Sequence, residues 1–218
     1  MGGGFATHQA VLTAVLKRIN KPVLELGAGD YSTELIHKEL DGRNIRIVTV
    51  DDKPEWIAKF FRLYDEFHDF IYMNKEDTLM YFKADRTKWG LVFVDCGVWE
   101  VRGMAVKKYK DIADFVLVHD CDYFPENNTN TNYTKERFFG RVINHANTKT
   151  MSVGKRDYSD TFKYWVEFFE KNWDEESPPV LLGSNKINLD DFEVPGMIVS
   201  GRNKKIDGKE KNYITSTS

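Results

Sequence analysis

Cysteine is nearly absent from this sequence: Cys96 and Cys121 are the only two among 218 residues. A single pair supports neither a disulfide scaffold nor a four-thiolate structural zinc site, so a reducing, cytoplasmic setting is expected. Long apolar runs are missing too. No stretch reaches the roughly 18–20 residues that a membrane-spanning helix needs, and the opening MGGGFATHQAVL lacks the basic-then-apolar order of a signal peptide. Nor is there an excess of charge of either sign. The 31 basic and 34 acidic residues leave a net charge of -3, which gives no global attraction to phosphate backbones or anionic lipid. Neither nucleic acid nor a membrane is therefore an expected partner, and a small-molecule substrate is. The sequence contains no internal repeat and no Pro/Gly/Ser-rich linker, and its length suits one domain with a full core.

What the chain does contain is a regular alternation of two apolar periods. His8–Ile19 places Val11, Leu12, Val15, Leu16 and Ile19 at helical spacing. Short apolar runs then alternate with helical patterns. Strands are predicted at Val23–Leu26, Ile45–Val50, Phe70–Met73, Gly90–Val94 and Phe115–Val118. Helices are predicted at Thr33–Leu40, Pro54–Phe67, Asp77–Phe82 and Val101–Tyr109. Nearly all-apolar strands separated by helices indicate a parallel sheet covered on both faces, the doubly wound α/β arrangement. After Tyr123 the rhythm changes to an Asn/Thr-rich loop (126–134), a helix near 135–146, and two extended segments at 148–153 and 161–169 that could pair as a hairpin. Residues 1–201 read as one domain with an N-terminal helix, and the polar residues 202–218 read as a loose tail.

The stretch PVLELGAGDYSTELI (22–36) joins the first strand to its helix. Gly27 and Gly29, flanking Ala28, allow a tight turn and the close approach of a ligand. Ser32 or Thr33 can cap the helix, whose N-terminus would suit an anionic or carboxylate-bearing group. In a doubly wound sheet, ligands bind beyond the carboxyl ends of the strands, and here every such end is acidic. Glu25 lies in strand one, Asp51 and Asp52 end strand two, and Glu76 and Asp77 follow strand three. Asp95 ends strand four, and His119-Asp120-Cys121-Asp122 ends strand five. Asp51 lies 22 residues beyond Gly29, a spacing at which a carboxylate can hold ribose hydroxyls; it can equally cap the next helix.

These residues, with Glu25-Leu26-Gly27-Ala28-Gly29 as the most specific piece, resemble the class I S-adenosylmethionine-dependent methyltransferases over roughly residues 5–122. Asp30-Tyr31-Ser32-Thr33 stands where a third glycine often lies, a form similar to that of small-molecule O-methyltransferases. The resemblance implies a mostly parallel seven-stranded sheet with a C-terminal antiparallel hairpin, and S-adenosylmethionine as cofactor. Carried over, Gly27, Ala28, Gly29 and Ser32 form the cofactor turn. Glu25 organises the ammonium end, Asp51 with Asp52 holds the ribose, Glu76 or Asp77 lies by the adenine, and Asp95 lies near the amino group. The activity implied is methyl transfer to an oxygen, less readily a nitrogen, of a small acceptor such as a sugar or phenol.

Because methyl transfer needs alignment and removal of the acceptor's proton, His119 is the candidate base, with Asp95 and Asp120 as acceptor-binding carboxylates. In catechol-type relatives, acids at the Asp95 and Asp120 positions hold a divalent cation together with an Asn. Here Cys121 replaces that Asn, so the metal question stays open. Two alternatives use the same crevice: a nicotinamide-linked oxidoreductase, against which Ser32 at the sixth position of the turn argues, and a cofactor-binding module without catalysis.

Overall fold

The structure, a computed structural model, describes residues 6–97, 99–121, 161–170, 179–206 and 209–213. The alternating pattern produces a nine-stranded sheet with the order β3-β2-β1-β4-β5-β7-β6-β8-β9. The first five strands, β1 (Val23–Leu26), β2 (Ile47–Asp51), β3 (His68–Tyr72), β4 (Leu91–Val94) and β5 (Phe115–Val118), all pair in parallel. The last four, β6 (Tyr164–Glu170), β7 (Val180–Ser184), β8 (Met197–Ile206) and β9 (Lys209–Tyr213), pair antiparallel, and β7 docks on β5.

Alternation along each central strand divides the core into two layers, as the pleat requires. Leu24, Leu26, Val48, Val50, Val92, Val94, Val116 and Val118 face α4 (Lys75–Ala84) and α5 (Trp99–Tyr109), packing with Phe82, Val101, Ala105, Val106 and Tyr109. Their neighbours Val23, Ile47, Leu91, Phe93, Phe115 and Leu117 face α1 (His8–Leu16) and α2 (Thr33–Leu40). Local chemistry marks the helix starts. Pro54 opens α3 (Pro54–Phe60), where its missing N–H costs nothing. The Asn74 side chain accepts the Asp77 N–H at the head of α4.

Register then aligns the strand ends. Leu26 lies level with Val50 and with Val94, and Val94 lies level with Val118. The next residue of each strand, Gly27, Asp51, Asp95 and His119, therefore falls in one row along the carboxyl edge. The backbone bonds Gly27 N–H to Val50 O, Asp95 N–H to Leu26 O and His119 N–H to Val94 O fasten that row. The strand order reverses between β1 and β4, which makes this edge the crevice of the sheet.

The C-terminal part differs from expectation. The segment predicted at 161–169 is β6, but its neighbours are β7 and β8; the segment at 148–153, like the helix near 135–146, lies outside the described residues. Among the described residues the sheet has nine strands rather than seven: β7 and the start of β8 form where no strand was expected, and residues expected in the polar tail extend β8 and form β9. This ribbon is held by ladder bonds and carries few apolar residues, so no alternating pattern marks it. Among the described residues, no helix is long and apolar enough to cross a membrane.

The central layer is tightly filled, with Leu24 inaccessible to solvent. Leu24→Ala should lower the unfolding free energy by about 2–5 kcal/mol, read as a fall in the denaturant midpoint at unchanged m-value.

Candidate functional site

The turn after β1 is closed by its own hydrogen bonds. Gly27 adopts φ +97°, and a Cβ there would lie 2.6 Å from the backbone carbon and oxygen of Asp95. Glycine is thus required both for the backbone conformation and for the approach of β1's turn to the end of β4. Ala28 N–H donates to Asp51 Oδ2 (2.8 Å), and Gly29 N–H donates to Thr33 Oγ1 (2.9 Å). These N–H groups are spent internally, so they do not form the anion cradle that the glycines alone imply.

Glu25 lies fully buried beneath the turn. Ser32 Oγ (2.6 Å) and Thr33 Oγ1 (3.1 Å) donate to its Oε1, and Thr49 Oγ1 (2.7 Å) donates to its Oε2. From Thr49 the chain continues to His68 Nε2 (2.9 Å) and from His68 Nδ1 to His37 Nδ1 (3.1 Å). Burial pushes the Glu25 carboxyl up to about 7, although the three hydroxyl donors pull it down. Glu25 and Ser32 are therefore engaged with each other, and any influence of Glu25 on a ligand passes through the turn that it supports.

Asp51 lies at the border of a shallow, open cleft lined by Leu26, Val50, Asp51, Asp52, Lys75, Thr78, Cys96 and Val101. Its Oδ2 accepts Ala28 N–H and its Oδ1 accepts Lys53 N–H (2.8 Å). An ionised carboxylate offers about four acceptor positions, so two remain for a ligand's hydroxyls. The capping and ligand-binding roles are compatible in this one group. Glu76 and Asp77 are exposed on the first turn of α4 and do not line the cleft; Lys75 and Thr78 from the same turn do.

At the other end of the row, Arg102 is only 3% exposed. It donates to Cys96 O (2.5 Å) and His119 O (2.8 Å) and pairs with Asp95 Oδ1 (3.0 Å) and Asp120 Oδ2 (3.7 Å). The cation between the two acids is thus this guanidinium, which leaves the catechol-type arrangement of Asp95 and Asp120 around a metal already neutralised. Cys121, at the Asn position of that arrangement, is buried with its thiol toward Glu167 Oε2 (3.7 Å). Asp122 lies outside the described residues.

His119 is buried, with Nδ1 3.2 Å from Asp95 Oδ1 and 3.4 Å from Asp120 Oδ1, and Nε2 3.1 Å from Thr7 Oγ1. Burial lowers its pKa, but the Asp95 carboxylate outweighs this and the net direction is upward. Desolvation likewise opposes the charge on Asp95, yet His119 beside it holds that carboxyl below its ordinary range. Asp120 moves upward, chiefly through burial, and sits at φ +51°. The side chains of Asp95 and Asp120 keep 21% and 25% exposure, while His119 keeps 4%, so the carboxylates form the accessible lip and the imidazole stands behind them.

Sequence reasoning missed two members of this cluster. Arg102, one of several basic residues on α5, carries no sequence signal of its place as a buried clamp. His8 was read only as the start of an amphipathic helix. Its ring packs edge-on to His119, with centroids 4.4 Å apart, and 5.1 Å from the Phe93 ring. Burial drives its pKa down to about 3. Neither ring nitrogen has a hydrogen-bond partner among the described residues; of the influences on its pKa, the Tyr31 backbone is the smallest and acts upward. Each such orphan typically costs about 1–3 kcal/mol.

No family model and no curated protein matches the sequence. Solved structures do resemble the fold. A probable spermidine synthase from Corynebacterium glutamicum matches with a TM-score of 0.52 and 8% identity over 87% of this chain and 68% of that one. Protein LPL1258 from Legionella pneumophila matches with a TM-score of 0.50 and 13% identity over 87% and 88%. WbdD, a bifunctional kinase-methyltransferase, matches with a TM-score of 0.47 and 16% identity, and the chain spans only 40% of its length. The strand order and the likenesses to the spermidine synthase and LPL1258 agree on a Rossmann-like α/β fold.

Two expectations follow. Gly27→Ala, which forces a side chain against the Asp95 and Cys96 backbone, should destabilise by about 3 kcal/mol or more. Gly42→Ala, at φ +69° with nothing within 4 Å, should cost only about 1–2 kcal/mol of backbone strain, and denaturant melts of the two variants would separate contact from strain. Because the folded chain raises Glu25 from 4.5 to about 7, it holds a proton there that the unfolded chain has released. Stability is then lost as pH rises through that window, by on the order of 3 kcal/mol. Melting curves from pH 4.5 to 7 should fall for wild type and flatten for Glu25→Gln.

Proposed function

We propose that the chain transfers a methyl group from S-adenosylmethionine to an oxygen of a small acceptor, such as a sugar or phenol. The observation carrying this reading is Asp51: a carboxylate at the tip of β2, fixed by Ala28 N–H and Lys53 N–H, bordering the cleft with two acceptor positions unused. That is the donor-accepting geometry for a vicinal diol such as a ribose. The residues fit a nucleoside: apolar Leu26, Val50 and Val101 supply walls for a flat base beside the Asp51 carboxylate. When bound, the cofactor supplies an electrophilic methyl group for in-line displacement.

The chain's own contribution is alignment and proton removal. Asp120 and Asp95 offer the exposed carboxylate edges at the lip, and the raised pKa of Asp120 makes it the better proton acceptor of the two. His119 stabilises the pair from behind through Nδ1, while Arg102 prevents the two acids from repelling one another. Oxygen is favoured over nitrogen as acceptor because carboxylate acceptors facing the substrate suit a hydroxyl whose proton must leave.

Isothermal titration with S-adenosylhomocysteine tests this. Wild type should bind, and Asp51→Ala should bind at least about 100-fold more weakly, the cost of two lost hydrogen bonds to a charged acceptor. No binding by wild type, or equal binding by the variant with its fold intact by circular dichroism, overturns the proposal.

A further inference from the structure

We propose that His8, Asp95 and His119 form a binding site for a single divalent transition-metal ion of the zinc or cobalt type. One ligating atom from each residue lies within 4.8 Å of the other two. His119 Nδ1 and Asp95 Oδ1 are already 3.2 Å apart, close to the roughly 3.3 Å separation of donors around a tetrahedral ion with bonds of about 2.0–2.1 Å. The ion would take the place of the hydrogen bond between these two groups, with the His8 ring closing in and Arg102, which donates to the same Asp95 oxygen, moving aside. His8 is the first residue of α1, is 2% exposed, and buries two nitrogens that satisfy nothing among the described residues. This buried imidazole packs edge-on against the His119 ring, with a ring nitrogen within 4.8 Å of ligand atoms of both His119 and Asp95.

The surroundings fit as well. Thr7 Oγ1 sits 3.1 Å from His119 Nε2, the outer-shell contact that fixes a ligating ring through its second nitrogen. Asp95 and Asp120 against Arg102 leave the pocket one negative charge with both imidazoles neutral, which a divalent ion reverses to one positive. Two nitrogen donors and one carboxylate favour zinc or cobalt over magnesium, which prefers an all-oxygen shell. Three protein ligands leave a coordination position open, and Asp95 keeps part of its side chain in solvent. The site stands without the methyl-transfer reading and goes beyond it: with an ion bound, His119 is a ligand, and Asp120 alone remains to take a proton at the lip.

Cobalt substitution tests the site. Full-length protein dialysed against Co2+ should retain a single ion, by metal analysis, and show the visible absorption of a four- or five-coordinate site. His8→Phe, whose ring can pack on Phe93, should abolish the bands and weaken retention by more than the about 10–100-fold that loss of an outer-shell partner costs. Asp120→Asn should keep the bands. Wild type without bands, bands that survive in His8→Phe, or bands lost in Asp120→Asn, which would put the ion on the acidic pair, each overturn the proposal. The wild-type spectrum decides the matter even if His8→Phe fails to fold. S-adenosylhomocysteine titration of the same samples keeps the two proposals apart, since that binding without cobalt bands refutes only the metal, and bands without that binding refute only the cofactor.

Discussion

The backbone contact between Gly27 and Asp95 is the constraint on which the rest depends. With a Cβ excluded at 2.6 Å from the Asp95 carbonyl, the turn after β1 can lie directly against the end of β4, and the row of strand ends closes into one crevice. That contact sets where Asp95 begins its loop. The position of Asp95 in turn sets where Arg102 and His119 find a partner. The glycine that reads in the sequence as a place for a ligand is, first, a place where two strands' exits meet, and the ligand's space is the part of the crevice this meeting leaves open toward β2 and α4.

Charge at the crevice is arranged asymmetrically around that contact. Toward β2, Asp51 and Asp52 border the cleft and Asp51 is held by backbone donors alone, so its charge is available to a neutral, hydroxyl-bearing ligand. Toward β5, the acids are matched by a buried guanidinium and an imidazole. A carboxylate pair within reach of one cation resists losing it, because an unpaired charge in a partly dry site is costly. The two halves of the crevice thus differ in how their acids are matched, a division that follows from which strand end received the arginine of α5.

The parts of this arrangement legible in the sequence are those written in local pattern. Four-residue apolar runs, Pro22 and Pro54, and the acids following the runs were enough to locate β1–β5, their order of appearance and the row of Asp51, Asp95 and His119, because parallel register carries one residue's position across the sheet. The parts that were not legible depend on contacts distant in sequence. Arg102 looks like any helix arginine until the fold brings His119 O and Cys96 O to it. His8 lies 111 residues from His119, and its helical spacing explains it fully without that partner. Strand β7 is a short apolar run, Val180-Leu181-Leu182, after Pro179, placed beside β5 only by antiparallel pairing, and β9 has the sequence Lys209-Glu210-Lys211-Asn212-Tyr213, which shows no apolar alternation. The choice between Lys75 and Glu76, or Thr78 and Asp77, is a matter of helix phase within a single turn, finer than boundary prediction resolves.

The contrast among the buried polar groups carries the last step. Glu25 is surrounded by three hydroxyl donors, and Asp85 accepts from Trp89 Nε1, Tyr109 Oη and Thr87 N–H. Both are complete within the protein, and both serve to hold backbone in place, beneath the turn in one case and at the foot of α5 in the other. His8 breaks the pattern: it is as buried as either, yet its nitrogens have no hydrogen-bond partner among the described residues, and it packs beside His119 and Asp95, where burial opposes the charge of each and the two hold one another ionised. A side chain whose only role was packing could be phenylalanine beside Phe93 at lower cost. An imidazole in that place spends solvation for nothing unless something with an empty orbital or a proton to give enters between the three groups, and that is a physical reason to look for function at the junction of α1 and β5 as well as above the glycine turn.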